Sequence, residues 1–235
     1  MFRYETHLHT SPVSKCAKRT VRENLEMYSR LGYTGVFITN HFTALDGGKI
    51  GTEVTYEEFL DFYFSGYEEG LSLADEFGLK VFSGFETTTG GTDFLVYGLD
   101  KEWFLAHPEI VGMKKKEQLD LYRENGALVV HAHPFREAKY IDHIRLFPRS
   151  VHGAEVYNAC RTDFENEMAE IYAEKYELIR FAGSDNHRAY DRPRLAGLDF
   201  DTPITDEQDF VRRIFAGEHK LFLEPNPLYT PPEEL

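Results

Sequence analysis

The chain has 235 residues, 42% of them hydrophobic and 28% charged, and carries a formal net charge of −14. That length suits one domain with a sizeable core rather than two, and the acidic excess argues against nucleic-acid backbones as partners, since those contacts need clustered Lys and Arg. No apolar run is long enough to span a bilayer and no basic-then-apolar leader opens the chain, so no membrane partner is expected and the expected location is cytoplasmic.

The opening stretch MFRYETHLH predicts a strand. RTVRENLEMYSRLGY predicts a helix, with Val21, Leu25, Tyr28 and Leu31 at spacings of four, three and three. TGVFITNHF predicts a second strand, and TYEEFLDFYFSGYEEGLSLADEFG a long helix ended by Gly78. LKVFSGFE is a third strand, and TDFLVYGLD its hairpin partner after the Gly90-Gly91 turn. Helical segments run through MKKKEQLDLYRENG, followed by strands in ALVVHAH and HGAEVYNA and a helix in DFENEMAEIYAEKYE. LIRFAGSDNH is a late strand and TDEQDFVRRIFAGE the last clear helix; EPNPLYTPPEEL is proline-rich. Residues 1–224 are therefore expected to form one domain and residues 225–235 a tail outside regular packing. Strands alternating with helices imply βαβ units in a mostly parallel sheet, closed into a barrel rather than open. No G-x-G-x-x-G follows the first strand, so a dinucleotide fold has no support.

Chemistry-bearing residues gather at the C-terminal ends of the strands. His7 and His9 end the first, His41 the second and Glu86 the third; His131 and His133 end ALVVHAH, and Asp185 and His187 end the late strand. In an extended segment residues i and i+2 share a face, so both imidazoles of H-x-H can reach one point. In a β/α barrel these strand ends form one rim, where active sites are assembled. Nitrogen and oxygen donors without thiolates suit zinc, manganese or iron. Cys16 and Cys160 make neither a disulfide framework nor a zinc-finger spacing and read as free thiols of a reducing compartment.

THLHT, ITNH, GFE, HAHP and GSDNH stand in the order of the motifs of the PHP (polymerase and histidinol phosphatase) family, which the chain resembles from about Tyr4 to His187. The resemblance implies an α/β fold, a single-domain distorted (β/α)7 barrel, with two or three divalent metal ions. It implies a phosphoesterase that hydrolyses a small phosphate monoester through a metal-bound hydroxide. Carried over by position, His7, His9, Glu86 and Asp185 would hold the first metal. Glu86 would bridge to a second, which His133 also binds, and His41 and His187 would hold the third. His131 is not at a ligand position.

The pattern is departed from in three places. Asp93 stands where the family often has a histidine, and carboxylate for imidazole is a plausible exchange of ligand. After H-x-H the family often supplies another His or Asp to the third metal; here TSPVSKC offers Ser14 and Lys15, which are poor ligands, and Cys16, an unusual one. Asn40 replaces the usual Asp before His41. A weak third site is the expectation. Glu86, His187 and His41 are the candidate catalytic residues, either imidazole being able to protonate a leaving group when not committed to metal. Arg136, Arg161 and Arg188 are candidates for phosphate oxygens, which suit arginine's fork. Asn158 could hydrogen-bond a ligand or hold a loop. Two rival readings stand beside this one. One is a PHP-fold module that binds metal or ligand without turnover, and the other a metal-dependent hydrolase of a carbon–nitrogen or ester bond. Sequence does not choose the substrate, the metal or the oligomeric state.

Overall fold

The computed structural model describes residues 1–42, 53–188 and 193–229. Helices begin where the sequence supplies caps. Thr20, Thr55 and Thr162 each accept from the backbone of a glutamate three residues on, which bonds back, and so open α1 (Val21–Arg30), α2 (Tyr56–Phe77) and α5 (Asp163–Tyr176). Such caps are each worth about 1 kcal/mol. Gly78, at φ 65°, ends α2 in the left-handed conformation that glycine adopts freely. Asp100 caps the short α3 (Lys101–Ala106), and Asp206 caps α6 (Glu207–Phe215); α4 spans Lys115–Glu124. No described helix is long and apolar enough to cross a membrane.

Among the described residues nine strands form one sheet in the order β7-β6-β5-β4-β3-β2-β1-β8-β9. They are β1 (Phe2–Leu8), β2 (Gly35–Ile38), β3 (Lys80–Thr89), β4 (Thr92–Tyr97), β5 (Leu128–Ala132), β6 (Gly153–Asn158), β7 (Ile179–Gly183), β8 (Arg194–Phe200) and β9 (His219–Pro225). β1, β2 and β3 run parallel, as do β5, β6 and β7. β4, turned back at Gly90-Gly91, is antiparallel to both β3 and β5. The sheet curls until β1 meets the segment after β7: Leu8 bridges Asn186, and the His9 N–H donates to the Asn186 carbonyl at 3.2 Å. β1 through β7 thus make a nearly closed barrel.

β8 and β9 are strands that the sequence reading did not anticipate. β8 pairs antiparallel with the first half of β1, from Phe2 to Tyr4, and β9 covers β8. β1 therefore serves two neighbours along one edge, β8 near its start and the end of β7 near its finish. β9 runs to Pro225, and Asn226 is buried and donates to the Pro193 carbonyl at 2.8 Å. Of the expected tail, Pro225 ends β9 and Asn226 is buried, while Pro225 and Pro227 are exposed; residues 230–235 lie outside those described.

The interior end away from the histidines is filled by Tyr4, Phe37, Phe82, Tyr97 and Phe181, with Phe210 of α6 seated 4.2 Å (ring centres) from Phe37. Burying each such ring contributes roughly 1.5–3 kcal/mol. Outside, Leu8, Val36 and Ile38 pack against Val21 and Leu25 of α1. Tyr4 faces in and Leu8 faces out, although they are four residues apart and would share a face in a regular strand. A register shift between Glu5 and Leu8 reverses the alternation and turns His7 and His9 inward.

Candidate metal centre

His7 and His9 enter the barrel from β1 with their Nε2 atoms 3.1 Å apart. Around them stand Glu86, from β3, and Asp185, just beyond β7. Glu86 Oε1 is 3.3 Å from His7 Nε2 and 3.3 Å from His133 Nε2, while Oε2 is 3.5 Å from His9 Nε2 and 2.6 Å from His41 Nδ1. Asp185 Oδ1 lies 3.6 Å from His7 Nε2, 3.5 Å from His9 Nε2 and 3.3 Å from His187 Nδ1. Three sets of donors, each within 4.8 Å, emerge: His7, His9 and Asp185; His7, Glu86 and His133; and His9, His41 and His187.

Two backbone conformations aim these ligands. His133 (φ 26°) and Asp185 (φ 55°) both have positive φ, which costs a non-glycine residue about 1–3 kcal/mol and persists only where the surroundings enforce it. The turn at His133 separates it from His131, which regular alternation would have put on the same face. His131 is fully buried against Phe94, Phe147 and Tyr172, and that burial together with nearby His133 lowers its pKa to about 3. It is a neutral packed ring.

The donors are oriented from behind. His7 Nδ1 is 3.0 Å from Glu155 Oε1, so the ring donates there and turns its Nε2 to the interior. Glu155 is fully buried; its Oε2 accepts from the His133 N–H at 3.0 Å and the Asn158 amide at 2.9 Å. Only glycine fits at 183, where a Cβ would lie 2.6 Å from His7 Cβ and 2.8 Å from Glu155 Oε1. Ser14 Oγ donates to Asn40 Oδ1 at 2.8 Å and accepts from the His41 N–H at 3.0 Å. Its proton being spent, the contact of 3.1 Å with His9 Nδ1 is a donation from His9, whose Nε2 is left bare. Asn40 also accepts from the Thr10 N–H and donates to Thr10 Oγ1. That donation needs an amide and accounts for Asn at this position.

This donor set fits divalent cations. Both oxygens of Glu86 and Nε2 of His133 are buried among histidine rings with no other hydrogen-bond partner, and the Nε2 atoms of His7 and His9 face each other at 3.1 Å. Without a cation the pocket balances its carboxylates with protons. Burial opposes a charged His7, yet Glu155, Asp185 and Glu86 outweigh it and hold its pKa well above the usual value. His41 likewise rises to about 11 against burial, chiefly through Glu86. Burial and His41 push His9 the other way, well below its usual value. Metal binding would displace those protons.

The remaining expected residues are placed as follows. Asp93 Oδ2 is 3.8 Å from His133 Nε2 and 3.0 Å from Arg136 Nη2, and Thr88 donates to its other oxygen. Arg161 Nη2 is 3.7 Å from Asp185 Oδ2, and neither Arg136 Nε nor Arg161 Nε has a hydrogen bond. Arg188 is exposed, its backbone held by Asn186. Asn158 is fully buried, its amide donating to Glu155 and its oxygen accepting from the Cys160 N–H, which are contacts that hold the loop. Cys16, from the β1–α1 loop, reaches the rim. Burial raises its pKa, but hydrogen bonds with His187 and His41 bring it down to about 6. Glu155 went unremarked in the sequence; its one signal is an acidic residue inside the apolar strand HGAEVYN.

The mixed α/β barrel defines a class by fold, and known structures share that fold. No family model matches the sequence. An uncharacterized protein of Methanocaldococcus jannaschii is 37% identical over 112 residues, which is 44% of this chain and 45% of that protein. The match thus spans less than half of that curated relative. A two-domain protein of Bacteroides vulgatus, described as containing a predicted PHP-like metal-dependent phosphoesterase, superposes with a TM-score of 0.66 at 15% identity. That superposition covers 94% of this chain and 64% of the other, just under two thirds of its length. PsfC of Pseudomonas syringae superposes with a TM-score of 0.61 at 19% identity, covering 90% and 88%. An amidohydrolase of Chromobacterium violaceum, solved with bound sulfate and no metal, gives 0.51 at 12% identity, covering 79% and 87%. The fold of this chain is the PHP-like barrel.

Proposed function

We propose that this protein is a metal-dependent hydrolase acting on a small phosphate monoester. The observation that carries the reading is Glu86, a fully buried carboxylate whose oxygens face four histidine rings, while Asp93 and Asp185 in the same cluster each meet a guanidinium group. His7, His9, Glu86 and Asp185 would hold one ion, Glu86 and His133 a second with Asp93 beside them, and His41 and His187 a third. Bound divalent ions would supply Lewis acidity, lowering the pKa of a water to near neutral and drawing charge from phosphoryl oxygens. The chain's own part is orientation and charge. Glu155 and Ser14 fix the tautomers of His7 and His9. Arg161 and Arg136, each with an uncommitted Nε, can meet equatorial phosphoryl oxygens as charge gathers on them. Burial alone would lower the pKa of His187, but Cys16 and Asp185 raise it, so where no ion takes the ring it is the group that would pass a proton to the leaving alkoxide as the P–O bond breaks.

The amidohydrolase of like fold favours one second reading, hydrolysis of a carbon–nitrogen bond. The test is metal analysis of protein purified without chelator, then release of phosphate from a panel of monoesters and diesters alongside amides and carboxylic esters. Chelator-sensitive phosphate release that returns with Mn, Zn or Fe is expected. Turnover of amides alone would support the second reading, turnover of nothing by a metal-loaded chain would support a binding module, and activity indifferent to chelation would refute the metal centre.

A further inference from the structure

Outside the barrel, near the end that α6 closes, a cavity of about 360 Å³ opens between β3, α2, α3 and the start of α6. That volume falls within the range of small-molecule pockets, roughly 300–1,000 Å³. Ser83 fixes its position relative to the metal centre. The neighbouring Phe82 faces the barrel core, so Ser83 points outward, three residues before Glu86 and about 10 Å from it along the strand. The cavity therefore lies on the other side of the wall from the donors gathered inside. Its lining is acidic, with Glu68, Asp100, Glu102, Asp206 and Glu207 set against one cation, Lys101.

Most of these charges are already committed. Lys101 Nζ is 2.9 Å from Asp61 and 3.3 Å from Glu68. Asp100 and Asp206 accept from the Trp103 and Asp209 N–H groups that open α3 and α6, each at 2.8 Å. Glu207 differs. Its Oε1 accepts from the Ser83 N–H at 2.8 Å and the Tyr67 hydroxyl at 3.2 Å, while its Oε2 accepts no hydrogen bond among the described residues. A second observation points to a ligand. Ser83 lines the cavity although only 7% exposed, and its Oγ has no hydrogen-bond partner among the described residues. A buried hydroxyl ordinarily has one.

We infer that this cavity binds a small organic ammonium ion with an apolar body. An ammonium carries only donors, and Glu207 Oε2 and Ser83 Oγ are both able to accept, the first with charge assistance. Phe64, Leu99 and the ring of Tyr67 supply apolar contact for the rest of the ligand. An anion in the same place would meet five carboxylates and a lysine that is already paired. The inference is independent of the metal centre and adds a second binding site to the chain.

The test titrates the full chain with phenethylammonium by calorimetry, with phenethyl alcohol and phenylacetate as the neutral and anionic counterparts. Saturable binding of one ammonium per chain is expected, with both counterparts weaker by about tenfold or more. Glu207→Gln keeps an acceptor oxygen for the Ser83 N–H but removes the charge, and should weaken the ammonium by about tenfold. Ser83→Ala, which removes one unpartnered hydroxyl and leaves the packing in place, should weaken it several-fold and keeps the test decisive if Glu207→Gln fails to fold. Asp185→Asn, inside the barrel, should bind it as wild type does. No saturable binding at millimolar ammonium, equal binding of the alcohol, or wild-type affinity in the folded Glu207 and Ser83 variants overturns the inference. Loss of binding in Asp185→Asn also overturns it, by placing the ammonium among the interior donors.

Discussion

Glu155→Gln isolates the contribution of a residue that is not itself at an expected ligand position yet holds two ligands, His7 and His133, in place. The substitution keeps size and shape but replaces one of two acceptor oxygens with a donor. If the amide nitrogen faces the His133 N–H and Asn158, which now bond at 3.0 and 2.9 Å, two buried donors lose their acceptor. At about 1–3 kcal/mol for each unsatisfied buried group, the metal-free protein loses roughly 2–6 kcal/mol. If the amide turns over, it meets His7 Nδ1, 3.0 Å from Oε1, and that ring must become an acceptor there. Its proton then moves to Nε2, the atom that faces the other donors, and closes it to metal. Either orientation lowers metal affinity, by about 10–100-fold for a partner that orients a ligand. Urea unfolding of metal-free wild type and variant reads the first cost, and chelator-competition titration the second. A variant with the wild-type unfolding midpoint and a metal affinity within about twofold of wild type would refute the argument that Glu155 sets the tautomer of His7.

Glu86→Gln should lower metal content at two positions together, because its oxygens lie between His7, His9, His41 and His133 and an amide cannot offset two divalent charges; wild-type metal per chain by mass spectrometry would remove Glu86 as the bridge. His131 gives a pH dependence. Its folded pKa, about 3, lies below the unfolded value of 6.5, so both states are neutral at pH 7 and only the unfolded chain takes up the proton as pH falls. Stability is therefore lost with falling pH, and from pH 7 to pH 5 metal-free wild type should lose about 2 kcal/mol more than His131→Leu. Equal losses in the two proteins by urea unfolding would mean that the ring is not held neutral.

What the chain settles by itself is local. Capping boxes at Thr20, Thr55 and Thr162 and the left-handed Gly78 act within a few residues, so the helices are legible from short stretches. The alternation of apolar strands with amphipathic helices implies the barrel, and donors at the ends of successive strands mark its rim. The hidden parts depend on pairing between distant residues. β8 and β9 are short strands on either side of α6, and what makes them strands is the free edge of β1, reached from almost two hundred residues away. H-x-H places both rings on one face, but the bulge between Glu5 and Leu8 decides that this face is the inner one. HAHP looks like a second such pair, yet the positive φ at His133 sends His131 into an apolar pocket and His133 to Glu86. Glu155 carries no local mark of its role, and acts only because barrel closure brings β6 behind β1. Periodicity and capping are energies of near neighbours and are written in sequence order. Which carboxylate stands behind which imidazole follows from contacts that exist only once the sheet has curled.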